Sequence, residues 1–290
     1  DHIARLPPWP LRDVWFEGVT GAFGWLEVRF PAWVYVLLAI AAALLAVATL
    51  RALRLELPGE DFLYFGDSAN APYGSRPTQD IRRLTMTHAA RLLDEAKALV
   101  LACNTATSAA IDDLRAQYPD RIIIGIEPAL KLAVERHPGG RILVMATEAT
   151  LRERKFALLM EHYAANCKIL ERPCPDLVEF VERGELDGER VERSLRNYLA
   201  DCLQEPPEAA VLGCTHFPFL RPVLHRLLGP QTELLDGAGG TARETKRRLE
   251  AAGLLRETGE GGVKLTNSLQ TPELAARMRQ LLTTKAFDAP

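Results

Sequence analysis

The sequence has no Cys-x-x-Cys pair, and its cysteines are odd in number: five, at 103, 167, 174, 202 and 214. This argues against a disulfide framework and against a zinc knuckle, and fits thiols kept reduced in a cytosol. There is no block of basic residues either. Lys and Arg are scattered through helical stretches and the net charge is -3, so nothing points to nucleic acid as a partner. The turn Asp236-Gly237-Ala238-Gly239-Gly240 lacks the Lys-Ser/Thr that completes a phosphate loop, which leaves it weak evidence for phosphate binding. An initial Met is also missing; the chain opens on Asp1 and reads as a fragment or a processed product.

Charge is missing altogether from Phe30 to Leu50. A bilayer-spanning helix needs roughly 20 apolar residues. Trp33 and Tyr35 stand at one end, where aromatic rings favour the membrane interface, and Arg51 and Arg54 close the other. The run is too long and starts too late for an ordinary signal peptide. The expectation is therefore an apolar helix that spans or contacts a membrane through residues 30–50. The plainer alternative is an apolar helix buried in a soluble core. Arg12 and Arg29 on one side balance Arg51 and Arg54 on the other, so orientation is undetermined.

What is present is an ordinary globular composition, 48% apolar and 25% charged over 290 residues, enough for one large domain or two smaller ones. After Leu57-Pro58-Gly59 short apolar runs alternate with amphipathic stretches. Strands are expected at 62–65, 98–102, 122–124, 142–146, near 168–170, 209–212 and 233–235. Helices are expected from a Thr78 cap onward, over 105–117, from 147 to about 163, over 176–183 and 188–204, and after Gly240. Such alternation implies an α/β fold with parallel sheets covered on both faces, and ligands then bind beyond the carboxyl ends of strands.

Two of those strand ends match. Val100-Leu101-Ala102-Cys103-Asn104-Thr105 parallels Val211-Leu212-Gly213-Cys214-Thr215-His216: two aliphatics, a small residue, a cysteine, two polar residues. A cysteine kept only for packing has no reason to recur there with a polar escort. A helix amino terminus after each would favour the thiolate. With an ordinary thiol pKa of about 8.5, modest lowering puts thiol and thiolate within reach near neutrality. Two such sulfurs facing one cleft suit a racemase or epimerase, one removing a proton from a substrate carbon and the other returning one to the opposite face, with neither metal nor organic cofactor. A Cys214/His216 hydrolase is weaker, because residues at i and i+2 of a turn rarely align as nucleophile and base, and it leaves Cys103 unexplained. Cys167, Cys174 and Cys202 read as packing residues, His88, His137, His162 and His225 as surface or core residues, and Asp67 as structural.

Tyr64-Phe65-Gly66-Asp67-Ser68-Ala69-Asn70-Ala71-Pro72-Tyr73-Gly74, Ala102-Cys103-Asn104-Thr105-Ala106 and Gly213-Cys214-Thr215-His216-Phe217-Pro218 together resemble the cofactor-independent aspartate/glutamate racemase family. The similarity runs from about residue 48 into the C-terminal region. It implies two similar domains with the active site between them: residues 48–127 plus 238–290, and residues 128–237, with 1–47 a segment foreign to the family. It implies Cys103 and Cys214 as the acid/base pair, and Tyr73, Gly74, Asn104, Thr105, Thr215 and His216 as contacts for the carboxylates and amine of an amino acid. Glu182, in Cys174-Pro175-Asp176-Leu177-Val178-Glu179-Phe180-Val181-Glu182, matches the family's supporting glutamate, and His216 would tune Cys214 or hold a carboxylate. The His after Cys-Thr favours glutamate over aspartate as the substrate. The implied activity is interconversion of L- and D-glutamate for peptidoglycan synthesis, by a cytoplasmic body that is compatible with a homodimer and with an N-terminal membrane anchor.

One departure stands out. The family opens with a strand ending in Asp-Ser-Gly, the aspartate beside the first cysteine. The helix after that strand has its counterpart in residues 49–61, but no residue here matches the Asp-Ser pair. The adjacent strands would then lack a central partner unless Val34–Ala39 fills the slot. A family-like fold with weak or no turnover is expected. The competing reading is an inactive, membrane-tethered fusion remnant that acts at most as a binding module.

Overall fold

The computed structural model describes residues 35–41, 47–126, 129–152 and 154–269, and the single positions 271, 272, 276, 279 and 282. The expectations for residues 1–34 and 42–46, Trp33, Arg12 and Arg29 among them, lie outside the described residues. The strands are β1 (Tyr35–Ala41), β2 (Asp61–Gly66), β3 (Ala96–Leu101), β4 (Ile122–Gly125), β5 (Arg141–Ala146), β6 (Lys168–Pro173), β7 (Ala209–Leu212), β8 (Glu233–Asp236) and β9 (Val263–Asn267). The helices are α1 (Val47–Glu56), α2 (Thr78–Leu93), α3 (Asn104–Gln117), α4 (Leu130–Arg136), α5 (Glu148–Arg152), α6 (Arg154–Ala164), α7 (Leu177–Arg183), α8 (Glu189–Tyr198), α9 (Ala200–Gln204), α10 (Arg221–Leu228) and α11 (Ala238–Ala251).

Two wholly parallel sheets result. One runs β4-β3-β1-β2-β9 and the other β6-β5-β7-β8. Strands buried on both faces read as continuous apolar runs. Leu99-Val100-Leu101 and Ala209-Ala210-Val211 do so, and all are essentially inaccessible to solvent. Helices cover them: α2 and α3 pack on the first sheet with their apolar stripes, Ile81, Leu84, Ala89 and Leu93 from one and Ala110, Ile111 and Leu114 from the other.

Among the described residues of the expected apolar helix over 30–50, positions 35–41 form a strand instead. Tyr35–Ala41 is a strand, paired with β2 on one side (Tyr35 with Asp61, Leu38 with Tyr64) and β3 on the other (Val36 with Ala98, Leu38 with Val100). A central strand of a parallel sheet and a membrane helix share the same uncharged composition, and periodicity cannot separate them in a short run. Among the described residues no helix is long and apolar enough to cross a membrane. The first sheet therefore keeps its middle strand, and the expected loss of a pairing partner does not occur.

Smaller differences are local. Helix α2 starts with Thr78 as its first residue, capped by Pro77 without a side-chain hydrogen bond, so Thr78 is not the cap. The stretch 188–204 forms two helices instead of one, parted at Leu199.

Candidate active site

Both cysteines sit where a strand stops. Cys103 follows β3 in extended conformation (φ -126°, ψ 122°) and caps α3, its carbonyl accepting from Thr107 N–H at 2.8 Å. The amino terminus of α3 and its dipole then face the Cys103 side. The second turn differs from expectation. After Cys214 the chain makes a turn and a short 3-10 segment, Phe217–Leu220, before α10 begins. The charge next to this sulfur comes from a side chain instead: His216 Nδ1 lies 3.5 Å from Cys214 Sγ. His216 Nε2 is 2.9 Å from Glu182 Oε1. Burial opposes a charged ring, but the Cys214 sulfur and the Glu182 carboxylate outweigh it, and the imidazole is pushed up to about 9. The ring is thus an imidazolium at neutral pH. Glu182 stands in the last turn of α7, which ends one residue later at Arg183; Gly184 follows with a left-handed backbone (φ 75°), and its N–H bonds Val181 O and closes the helix.

Tyr73, Gly74, Cys103, Asn104, Thr105, Cys214, Thr215 and His216 line one cavity, about 330 Å³ with its open mouth included. Of the residues expected from sequence only Glu182 stands outside its wall, behind His216. Cys103 is nearly buried and Cys214 partly exposed. The two sheets contribute one thiol each, from the carboxyl ends of β3 and β7. Asn104 bridges them, its Nδ2 donating to Gly213 O at 2.9 Å. Gly213 must be glycine. A Cβ there would come within 2.8 Å of the Met145 carbonyl oxygen and 3.2 Å of Ala146 Cβ. Gly213→Ala is expected to cost about 1–3 kcal/mol of stability by overpacking and to displace Cys214, lowering activity in parallel. Denaturant unfolding checks this, and an unchanged midpoint would rule out the close approach.

Residues not anticipated from sequence complete the wall. Thr147, just past β5, lines the cavity, and Thr150 stands behind it. Their hydroxyls form a buried ring with Thr105, at 3.4 Å (105 to 147), 3.2 Å (105 to 150) and 3.0 Å (147 to 150). The strand-end rule applied to β5 would have found Thr147; Thr150 leaves no such mark. Asp67 is fully buried. It accepts hydrogen bonds from Tyr73 Oη at 2.7 Å and Asn70 Nδ2 at 3.0 Å, and His88 Nε2 lies 3.1 Å away. Burial alone would raise this carboxyl; His88, Tyr73 and Asn70 outweigh it and hold it well below the usual carboxylate range. Burial and the Asp67 charge push the Tyr73 hydroxyl well above its ordinary range, so it stays a donor. His88, read from sequence as a surface or core residue, is in fact a member of this cluster.

The remaining cysteines do other work. Cys167 Sγ contacts His137 O at 3.3 Å, Cys174 Sγ contacts Arg172 O at 3.4 Å, and Cys202 is buried. Burial pushes the Cys174 thiol far up, which leaves it inert at neutral pH.

The Asp/Glu/hydantoin racemase family profile matches residues 47–245. A glutamate racemase of Clostridium perfringens is 44% identical over 231 residues, 79% of this chain and 89% of that protein. A Thermus thermophilus glutamate racemase solved with β-chloro-D-alanine is 34% identical with a TM-score of 0.73, covering 87% of this chain and 94% of that one. An Escherichia coli glutamate racemase solved with L-glutamate and the activator UDP-MurNAc-Ala is 26% identical with a TM-score of 0.74, covering 86% and 94%.

Proposed function

The chain belongs to the Asp/Glu/hydantoin racemase family, and from that premise we propose that it interconverts L- and D-glutamate, supplying the D-isomer for peptidoglycan. The observation that carries this is the single cavity walled by Cys103 from one sheet and Cys214 from the other. The two lobes are taken as residues 48–127 with 238–290, and residues 128–237.

In the reaction one sulfur, as thiolate, removes the α-proton from one face of bound glutamate, and the electron pair is left on the α-carbon. The other, as thiol, delivers its proton to the opposite face. The configuration inverts, and the two sulfurs exchange protonation states. Proton transfer by a positioned side chain contributes about 10²–10⁴-fold in rate. The His216 imidazolium, held by Glu182, lies against the Cys214 sulfur and offsets negative charge that develops there during proton transfer. The amino terminus of α3 does the same for Cys103. Tyr73, Gly74, Asn104, Thr105 and Thr215 supply hydroxyl, amide and backbone donors for the two carboxylates of glutamate. Tyr73 is held in place by Asp67.

The sequence carries no Asp or Ser between Ala39 and Ala48, so no carboxylate from that segment assists Cys103. The first thiol relies on its helix terminus and the second on its imidazolium.

Purified protein given L-glutamate should bring the circular dichroism of the amino acid toward zero as an equal mixture of enantiomers forms, and should leave L-aspartate unchanged. Glutamate binding measured by calorimetry with no loss of optical activity would restore the inactive-remnant reading.

A further inference from the structure

A second cavity, about 210 Å³ with its open space included, shares Asn104, Cys214 and Thr215 with the first. Thr49 and Asp236 form part of its other wall. Thr49 lies in the first turn of α1 and is wholly buried, and Asn104 is 5% exposed. Thr49 Oγ1 and Asn104 Oδ1 both lack a hydrogen-bond partner among the described residues. Asp236 is engaged already: Oδ2 accepts from Arg221 at 2.6 Å and Oδ1 from Ala238 N–H at 2.8 Å. Two residues of its wall thus carry unpaired groups: a hydroxyl on Thr49, able to give or take a proton, and an amide oxygen on Asn104 that only accepts. Leaving both buried and unpaired is costly. A small cavity whose wall carries unpaired polar groups is where folded proteins hold water.

The other end of the same amide sets the geometry of the thiols. Asn104 follows Cys103 directly, and its Nδ2 holds the carbonyl of Gly213, the residue before Cys214. Rotating that amide by half a turn would place oxygen against oxygen and push the two cysteine turns apart.

Resting on the two-thiol reading above, we propose that Thr49 is a positioning residue: its hydroxyl and Asn104 Oδ1 share one bound water molecule in the second cavity, and this water locks the Asn104 amide in the orientation that joins the two cysteine turns. Thr49 touches no substrate. It acts through Asn104 on the spacing of the sulfurs, so its loss slows both directions of the reaction alike.

The test uses the full chain with Thr49→Val, which keeps the shape and removes the hydroxyl, and Thr49→Ser, which keeps the hydroxyl. For Thr49→Val the expected results are an unfolding midpoint no lower than wild type, kcat about tenfold lower from L- and from D-glutamate, and KM within about twofold. Thr49→Ser should recover most of the lost rate. In protein labelled with ¹⁵N-asparagine, the Asn104 side-chain protons should exchange with solvent faster in Thr49→Val than in wild type or Thr49→Ser. A hydroxyl with only a packing role predicts an equal or higher midpoint with unchanged kcat and unchanged amide exchange, and that result overturns the proposal. A rate loss that Thr49→Ser fails to recover overturns it as well. Should wild-type protein invert no glutamate, the two-thiol reading fails, and the amide exchange alone decides the role of Thr49.

Discussion

Replacing Cys103 or Cys214 with serine is expected to lower net inversion of glutamate by about 10²–10⁴-fold in both directions, the usual worth of a positioned acid or base. Each sulfur must be base in one direction and acid in the other, so neither variant should retain one direction at full rate. Serine is nearly the same size but does not ionise near neutrality, so the fold should stay intact. Cys103 is nearly buried and a free cysteine packs as a small hydrophobe; the unfolding midpoint should therefore be followed alongside. The half-reactions separate the two sulfurs. A variant with one working thiol should still wash the α-proton out of one enantiomer into heavy water without forming the other. Should inversion survive in both single variants near wild-type rate, the two-thiol chemistry is wrong.

Glu182→Gln is expected to act through pH. His216 has an ordinary value of 6.5 and is pushed up to about 9 in the folded chain. The value of kcat/KM should fall on the alkaline side near pH 9 as the His216 ring loses its proton. Gln removes one of the groups that raise the ring. The alkaline limb should move to lower pH, and the rate at neutral pH should drop by about 10–100-fold, the scale of a lost hydrogen bond to a charged group. Stability follows the same sign. A folded value above the unfolded one means that the imidazolium stabilises the fold fully below pH 6.5. That contribution shrinks between 6.5 and 9 and is gone above. Glu182→Gln should flatten the slope of stability against pH across that window. A limb that stays at pH 9 in the variant would place the titrating group elsewhere.

Much of the fold can be read from residue pattern because parallel strands buried on both faces have few compositions open to them. Leu99-Val100-Leu101 and Ile142-Leu143-Val144 admit little else once flanked by turns and amphipathic helices. The same rule misleads at the amino end. Residues 35–41 are as apolar as a membrane helix, and only their pairing with β2 and β3, from 20 residues and more away, makes them a strand. Strand β9 is harder still. Val263-Lys264-Leu265-Thr266-Asn267 is short and half polar, and it joins the sheet by pairing with β2, some 200 residues earlier in sequence.

The site divides in the same way. Cys103 and Cys214 announce themselves because the strand-end pattern repeats around each. Glu182 has no local mark; it is visible only through resemblance to a family, and its bond to His216 crosses 34 positions. The Asp67–His88 contact and the hydroxyl ring of Thr105, Thr147 and Thr150 join residues brought together by different helices and strand ends. Such groupings arise from packing, and no periodicity encodes them.

Proton bookkeeping at the α-carbon in heavy water puts the central claim to the most direct trial. With L-glutamate as the starting material, the D-glutamate formed early should carry solvent deuterium at the α-carbon, while recovered L-glutamate keeps its original hydrogen. Starting from D-glutamate, the mirror result should appear. Product that retains the original hydrogen, or deuterium that enters both enantiomers equally from the start, would mean that a single group serves both faces, and opposed sulfurs would not be the machinery.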